Sequence, residues 1–95
     1  MNVRAHVFVS GRVQGVFFRM ETRHEAMKRN IEGWIRNTSN GRVEATFEGE
    51  REDVELLINF CKIGSPNARV TKIDLQWKEY TGEFKAFKIR RTAIL

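Results

Sequence analysis

Cysteine and proline are each present only once, as Cys61 and Pro66. A lone thiol excludes an internal disulfide and any zinc site built from several cysteines, and it fits a reducing cytoplasm. No apolar run nears the roughly 20 residues that span a bilayer, and Met1-Asn2-Val3-Arg4 does not open a cleavable leader. The expectation is a cytoplasmic protein with no membrane contact. Repeats, linkers and low-complexity tracts are also missing, so residues 1–95 should make one domain. At that length the chain can bury somewhat more than roughly 60% of its unfolded surface around a single core. Acidic residues are in deficit, since 17 Lys and Arg face 12 Asp and Glu for a net charge of +5. That balance favours anionic ligands, whether small or polymeric. The one local concentration, Lys85, Lys88, Arg90 and Arg91, reads as a solvated basic face.

What is present begins with alternation. Val3, Ala5, Val7 and Val9 interleave with Arg4, His6, Phe8 and Ser10, the pattern of a strand with one buried face. Residues 19–30 lack glycine and proline and are rich in charged helix formers, with Thr22, Ala26 and Met27 or Asn30 facing inward. Gly33 breaks that pattern. Trp34–Thr38 and Arg42–Glu48 then read as two strands around Ser39-Asn40-Gly41. A two-residue turn would group Val43, Ala45 and Phe47 with Trp34, Arg36 and Thr38. A three-residue loop with Gly41 as a left-handed bulge residue groups them with Gly33, Ile35 and Asn37 instead. The second register leaves Arg36, Arg42 and Glu44 together in water and is preferred, so Asn37 should face inward at its strand end.

Glu50, Glu52 and Asp53 crowd the start of a second helix, where they suit its dipole. Its buried stripe is Val54, Leu57, Ile58 and Cys61, and Gly64-Ser65-Pro66 ends it. Cys61 reads as a small core residue, with no partner beside it in sequence. A strand follows from Val70 to Glu79, then Tyr80-Thr81-Gly82-Glu83 and a short last strand with Phe87 and Ile89. The order strand, helix, strand, strand, helix, strand predicts a split βαβ α+β sandwich, an antiparallel sheet with both helices on one face.

Between the first strand and first helix lies Ser10-Gly11-Arg12-Val13-Gln14-Gly15-Val16-Phe17-Phe18-Arg19. Two glycines four residues apart let the main chain bend and turn several N–H groups toward one point, and a helix N-terminus adds its dipole. Such a loop suits an anion, with Arg19 closing over it. An ordinary tight loop whose two phenylalanines plug the core is the other reading. Taken alone, Arg19 reads as a surface ion-pair residue and Asn37 as a strand-end residue bonding the adjacent turn. In the predicted sandwich this loop and Asn37 share a rim, their strands about 9.6 Å apart with one strand between. His6 and His24 lack metal-like spacing, and Trp34 and Trp77 read as packing or sheet-face residues.

GRVQGVFFR at Gly11–Arg19 followed by GWIRNTSNGRVE at Gly33–Glu44 resembles the paired signature of the acylphosphatase family. The similarity runs along nearly the whole chain, through Gly64-Ser65-Pro66 to Phe87-Lys88-Ile89. It implies a ferredoxin-like βαββαβ fold and hydrolysis of acyl phosphates to carboxylate and inorganic phosphate, with no metal and no cofactor. By the same resemblance the amides of Gly15, Val16, Phe17, Phe18 and Arg19 cradle the phosphoryl group, Arg19 binds it, and Asn37 positions the attacking water. A monomer acting on a small-molecule acyl phosphate is expected. Arg91 departs from a tyrosine common there in the family, and four more residues follow it, which concerns C-terminal packing.

The chemistry agrees with this residue set. A carboxylate leaving group has a conjugate-acid pKa of about 4, so no general acid is required. Holding three equatorial oxygens and an in-line water is enough. A basic domain of this architecture could instead offer its open sheet face to RNA. That face should carry Phe8, Trp34 and Arg36, but Arg42, Glu44, Thr46 and Glu48 lack the aromatic pattern of an RNA-reading strand, which argues against nucleic acid. A noncatalytic acyl-phosphate sensor with the same pocket is a further alternative.

Overall fold

The computed structural model describes residues 1–95, in the order β1 (Asn2–Arg12), α1 (Phe18–Lys28), β2 (Glu32–Asn37), β3 (Val43–Glu50), α2 (Arg51–Ile63), β4 (Arg69–Lys78) and β5 (Phe87–Ile89). The sheet order is β4-β1-β3-β2-β5, the α+β ferredoxin-like arrangement with a fifth strand added at one edge. The four long strands pair antiparallel, and β5 runs parallel to β2. Because β3 lies between β1 and β2, those two strands point the same way.

The alternation in β1 places Val3, Ala5, Val7 and Val9 in the core, where they meet Val43, Ala45 and Phe47 of β3 and Ile35 of β2. Onto this face α2 lays Val54, Leu57, Ile58 and Cys61, spaced so that one stripe of the helix is apolar. Gly64 ends α2 at φ 79°, its N–H donating to the Phe60 carbonyl at 2.7 Å. The α1 helix starts one residue earlier and ends two residues sooner than expected. It turns Phe18, Thr22 and Ala26 inward, while Met27 is exposed and Asn30 lies beyond its end at φ 55°. Phe47 and Phe87 stack at 5.9 Å and join β5 to the core.

The hairpin adopts the three-residue-loop register, pairing Gly33 with Phe47, Ile35 with Ala45 and Asn37 with Val43. Gly41 takes φ 88° there. Gly33 permits the close strand approach, since a Cβ on it would lie 1.9 Å from the Thr46 carbonyl oxygen. The open face is not the loose watery surface expected. Glu44 is buried, accepting bonds from Arg36 Nε at 2.9 Å and sharing a proton-dependent contact with His6 Nε2 at 2.8 Å. Glu48, 2% exposed, accepts from Arg4 and from the Thr81 and Gly82 amides, which ties the β4–β5 connection over the sheet. Burying these carboxylates is tolerable because each is paired and hydrogen-bonded.

The residues after β5 continue beside β2. The Arg90 N–H donates to the Ile35 carbonyl, the Ala93 N–H to the Asn37 carbonyl and the Ser39 N–H to the Ala93 carbonyl, at 2.8–2.9 Å. Arg91 and the four residues after it therefore leave the C-terminal packing intact. No helix is long and apolar enough to cross a membrane.

Candidate active site

The loop from β1 to α1 has an unusual main chain. Gly15 has φ 74° and Phe17 has φ 63°, whereas Val16 and Phe18 are on the negative side. Alternation of this kind turns consecutive N–H groups toward one concave point, a geometry that attracts anions. The amides of Gly15, Val16 and Phe17 donate to no acceptor in the chain. Phe18 opens α1, so the first helical amides have no intrahelical acceptor, and no side chain caps this end. A Cβ on Gly15 would meet nothing within 4 Å, so the space over that backbone is open. Of the two phenylalanines only Phe18 plugs the core, and Phe17 stands outside it.

Two side chains hold this shape, and neither was singled out from the sequence. Gln14 Nε2 donates to the carbonyls of Thr38 and Arg42 at 2.8 and 2.9 Å, fastening the loop to the β2–β3 hairpin. Buried Ser65 donates from Oγ to the Val16 carbonyl at 2.6 Å, so the oxygen side of that peptide points into the protein and away from the row of amides. The signal for Gln14 was its place between the two glycines. Ser65 had none beyond the helix-ending Gly64-Ser65-Pro66.

Arg19 sits in the first turn of α1, half-buried, with no carboxylate within ion-pair distance. It is thus not the ion-pair residue that its type alone suggests. It lines a cavity of about 290 Å³ together with Val13, Gly15, Phe17, Phe18, Met20 and Ile89. Ile89 lies beside Ile35, and Asn37 follows two residues along β2 on the same helix-covered face. Asn37 does not itself line this cavity. Its Oδ1 is buried without a hydrogen-bond partner. The hairpin turn is held instead by Thr38, whose Oγ1 bonds Asn40, the Arg42 carbonyl and the Arg42 amide. Gln14 and Ala93 grip the same strand end through the Thr38 and Asn37 carbonyls. The structure therefore brings Gly15, Phe17, Phe18 and Arg19 around one concavity, with Val16 between them turned into the core, and carries Asn37 on a strand end tied directly to that loop.

The remaining reactive types are otherwise engaged. Cys61 is fully buried beside Thr22, and burial pushes its thiol pKa up to about 12. His6 bonds Thr46 and Glu44, and His24 is exposed on α1. No three His, Cys, Asp or Glu side chains gather into a possible metal-binding group. On the open face the aromatic rings are covered by guanidinium groups, Phe8 by Arg42 at 4.2 Å and Trp34 by both Arg36 and Arg90 at 4.7 Å. Trp34 is covered and buried, and Phe8 carries a guanidinium on its ring, so this face lacks the row of free rings that stacks bases. The basic residues Lys85, Lys88, Arg90 and Arg91 are exposed, as the sequence suggested.

Comparison with known proteins gives the same placement. The acylphosphatase family model matches residues 5–89. The acylphosphatase of Pelotomaculum thermopropionicum is 55% identical over 86 residues, covering 90% of this chain and 94% of that protein. That of Pyrobaculum aerophilum is 52% identical over 90 residues, covering 94% and 95%. The crystal structure of acylphosphatase from Bacillus subtilis superposes with a TM-score of 0.89 at 35% identity, covering 93% of this chain and 98% of that one. With the match spanning both halves of the loop-and-hairpin arrangement just described, the chain belongs to the acylphosphatase family.

Proposed function

We propose that this chain hydrolyses the carboxyl–phosphate bond of small acyl phosphates, releasing a carboxylate and inorganic phosphate. The phosphoryl group sits in the amides of Gly15, Val16, Phe17, Phe18 and Arg19, and the Arg19 guanidinium closes over it. Asn37, on the strand end fastened to that loop, holds a water in line with the leaving carboxylate through its side-chain amide. The observation that carries this reading is the loop itself: consecutive unclaimed amides with φ alternating in sign, beside an arginine free of any ion pair.

Charge placement supplies the catalysis. Fixed N–H dipoles and a guanidinium stabilise the equatorial oxygens of the transition state without reorganising. The leaving carboxylate needs no proton, its conjugate acid having a pKa of about 4. Phosphate monoesters, whose alkoxide leaves badly, should be poor substrates. The reaction proposed is metal-independent, carried by a monomer in the cytoplasm.

Decay of benzoyl phosphate with a chelator present tests the assignment. Arg19→Ala should lose binding and rate together, raising KM and lowering kcat, whereas Asn37→Ala should lose mainly kcat. Removing one donor of this kind typically costs about 100-fold or more in kcat. A variant as fast as the parent refutes the role given to that residue.

A further inference from the structure

We infer that the apolar wall formed by Phe17, Met20 and Ile89 is the seat of the acyl group, and that the preferred substrate carries an apolar acyl group such as benzoyl or a short alkanoyl chain. This rests on the phosphoryl site proposed above, and it adds which acyl phosphates that site takes.

Phe17, Met20 and Ile89 are 70%, 61% and 40% exposed and line one cavity with the cradle. Single exposed apolar side chains are ordinary, but a contiguous apolar patch at a cavity mouth marks a binding surface. Phe17 is the most telling of the three. It holds a left-handed backbone at φ 63° and ψ 20°, a conformation costly for a bulky residue and free for glycine. Core burial does not compensate that cost, because the ring stands in solvent. Packing of the ring against a ligand beside the cradle accounts for an aromatic at this position.

Polarity sets the class of ligand. Among the residues lining the cavity the only charged one is Arg19, which the phosphoryl group already occupies. A carboxylate on the acyl group, as in a succinyl or aspartyl phosphate, would find no second cation on this wall. An adjoining groove of about 300 Å³ shares Met20 and Ile89 and continues along α1 past Glu21, Arg23 and His24 to Met27, so the surroundings turn polar beyond the wall and a compact apolar group fits better than a long chain. Arg23, which lines that groove, spends its Nε on the Phe87 carbonyl at 3.0 Å.

The test compares kcat/KM for benzoyl, acetyl and succinyl phosphates in the full chain, in Met20→Gln, and in Met20→Gln combined with Ile89→Thr. Both side chains are substantially exposed, so both variants should fold, and a urea midpoint close to the parent's checks this. The parent should favour benzoyl over acetyl phosphate by on the order of tenfold and disfavour succinyl phosphate. The double variant should lose most of the benzoyl-to-acetyl ratio, chiefly through KM, with Met20→Gln alone between the two. Phenylphosphonate should likewise inhibit acetyl phosphate hydrolysis more tightly than methylphosphonate in the parent and lose that advantage in the double variant. An unchanged ratio in a folded variant, or succinyl phosphate turned over as well as benzoyl phosphate, overturns the acyl subsite while leaving the phosphoryl site standing. No turnover of any acyl phosphate by the parent overturns the proposed reaction, and the subsite with it.

Discussion

Ser65→Ala probes how the amide row is held. The Ser65 hydroxyl and the Val16 carbonyl are both buried, 2.6 Å apart, and they join the end of α2 to the centre of the loop. Removing the hydroxyl leaves the carbonyl oxygen buried without a donor, a loss of about 1–3 kcal/mol. A mid-range loss of about 2 kcal/mol lowers the urea midpoint by about 1 M if the urea dependence is about 2 kcal/mol per M. In thermal unfolding it lowers Tm by about 8–16 °C for a domain of this size. The functional consequence is separate from the stability loss. With its carbonyl released, the Val16 peptide can rotate and misdirect the amides on either side, so phosphate should bind more weakly even at 25 °C, where the variant remains folded. Equilibrium urea unfolding and competitive inhibition by inorganic phosphate measure the two effects. A stability change below about 0.5 kcal/mol would show that the Val16 carbonyl finds another donor, which refutes the anchoring role. A destabilised variant with parental phosphate affinity would show that the loop keeps its shape without the anchor.

Two glycines should respond very differently to alanine. Gly33→Ala places a Cβ 1.9 Å from the Thr46 carbonyl oxygen and should cost more than about 3 kcal/mol, read as loss of soluble folded protein, whereas Gly15→Ala meets nothing within 4 Å and should cost only about 1 kcal/mol for its left-handed backbone. Cys61 should resist thiol reagents in the native state. Its thiol pKa is raised by burial from 9.0 to about 12, so the neutral thiol contributes stability that is full below pH 9 and is lost as pH rises toward 12. Across that window the parent should lose up to about 1.4 kcal/mol per pH unit more than Cys61→Ala does, and parallel pH profiles would disprove the shift.

The parts of this fold legible in the sequence were those fixed by short-range geometry. The valines of β1, the stripe of α2 and the three-residue hairpin loop each follow from a repeat or a backbone demand within a few residues, and each stands where expected. The weaker pattern of α1 was legible in part: Thr22 and Ala26 face inward as expected, but the rest of the inward face is Phe18 at its very start and not Met27 or Asn30. The open-face carboxylates misled: alternation tells which side Glu44 and Glu48 take, but not that His6, Arg36, Arg4 and the Thr81 loop close over them.

The candidate site divides in the same way. Sequence by itself determined that a glycine-bent loop enters a helix carrying Arg19, and that the hairpin register turns Asn37 to the helix-covered face. Only the tertiary structure decided that Arg19 has no carboxylate partner and that Asn37 Oδ1 is left without one. It also brought in the distant clamps on the loop and strand end: Gln14 to Thr38, Ser65 to Val16, and Ala93 beside Asn37. Periodicity is written by main-chain geometry over neighbouring residues, whereas the pairing of polar groups dozens of residues apart is settled only when the sheet assembles and every buried donor and acceptor has to find its partner.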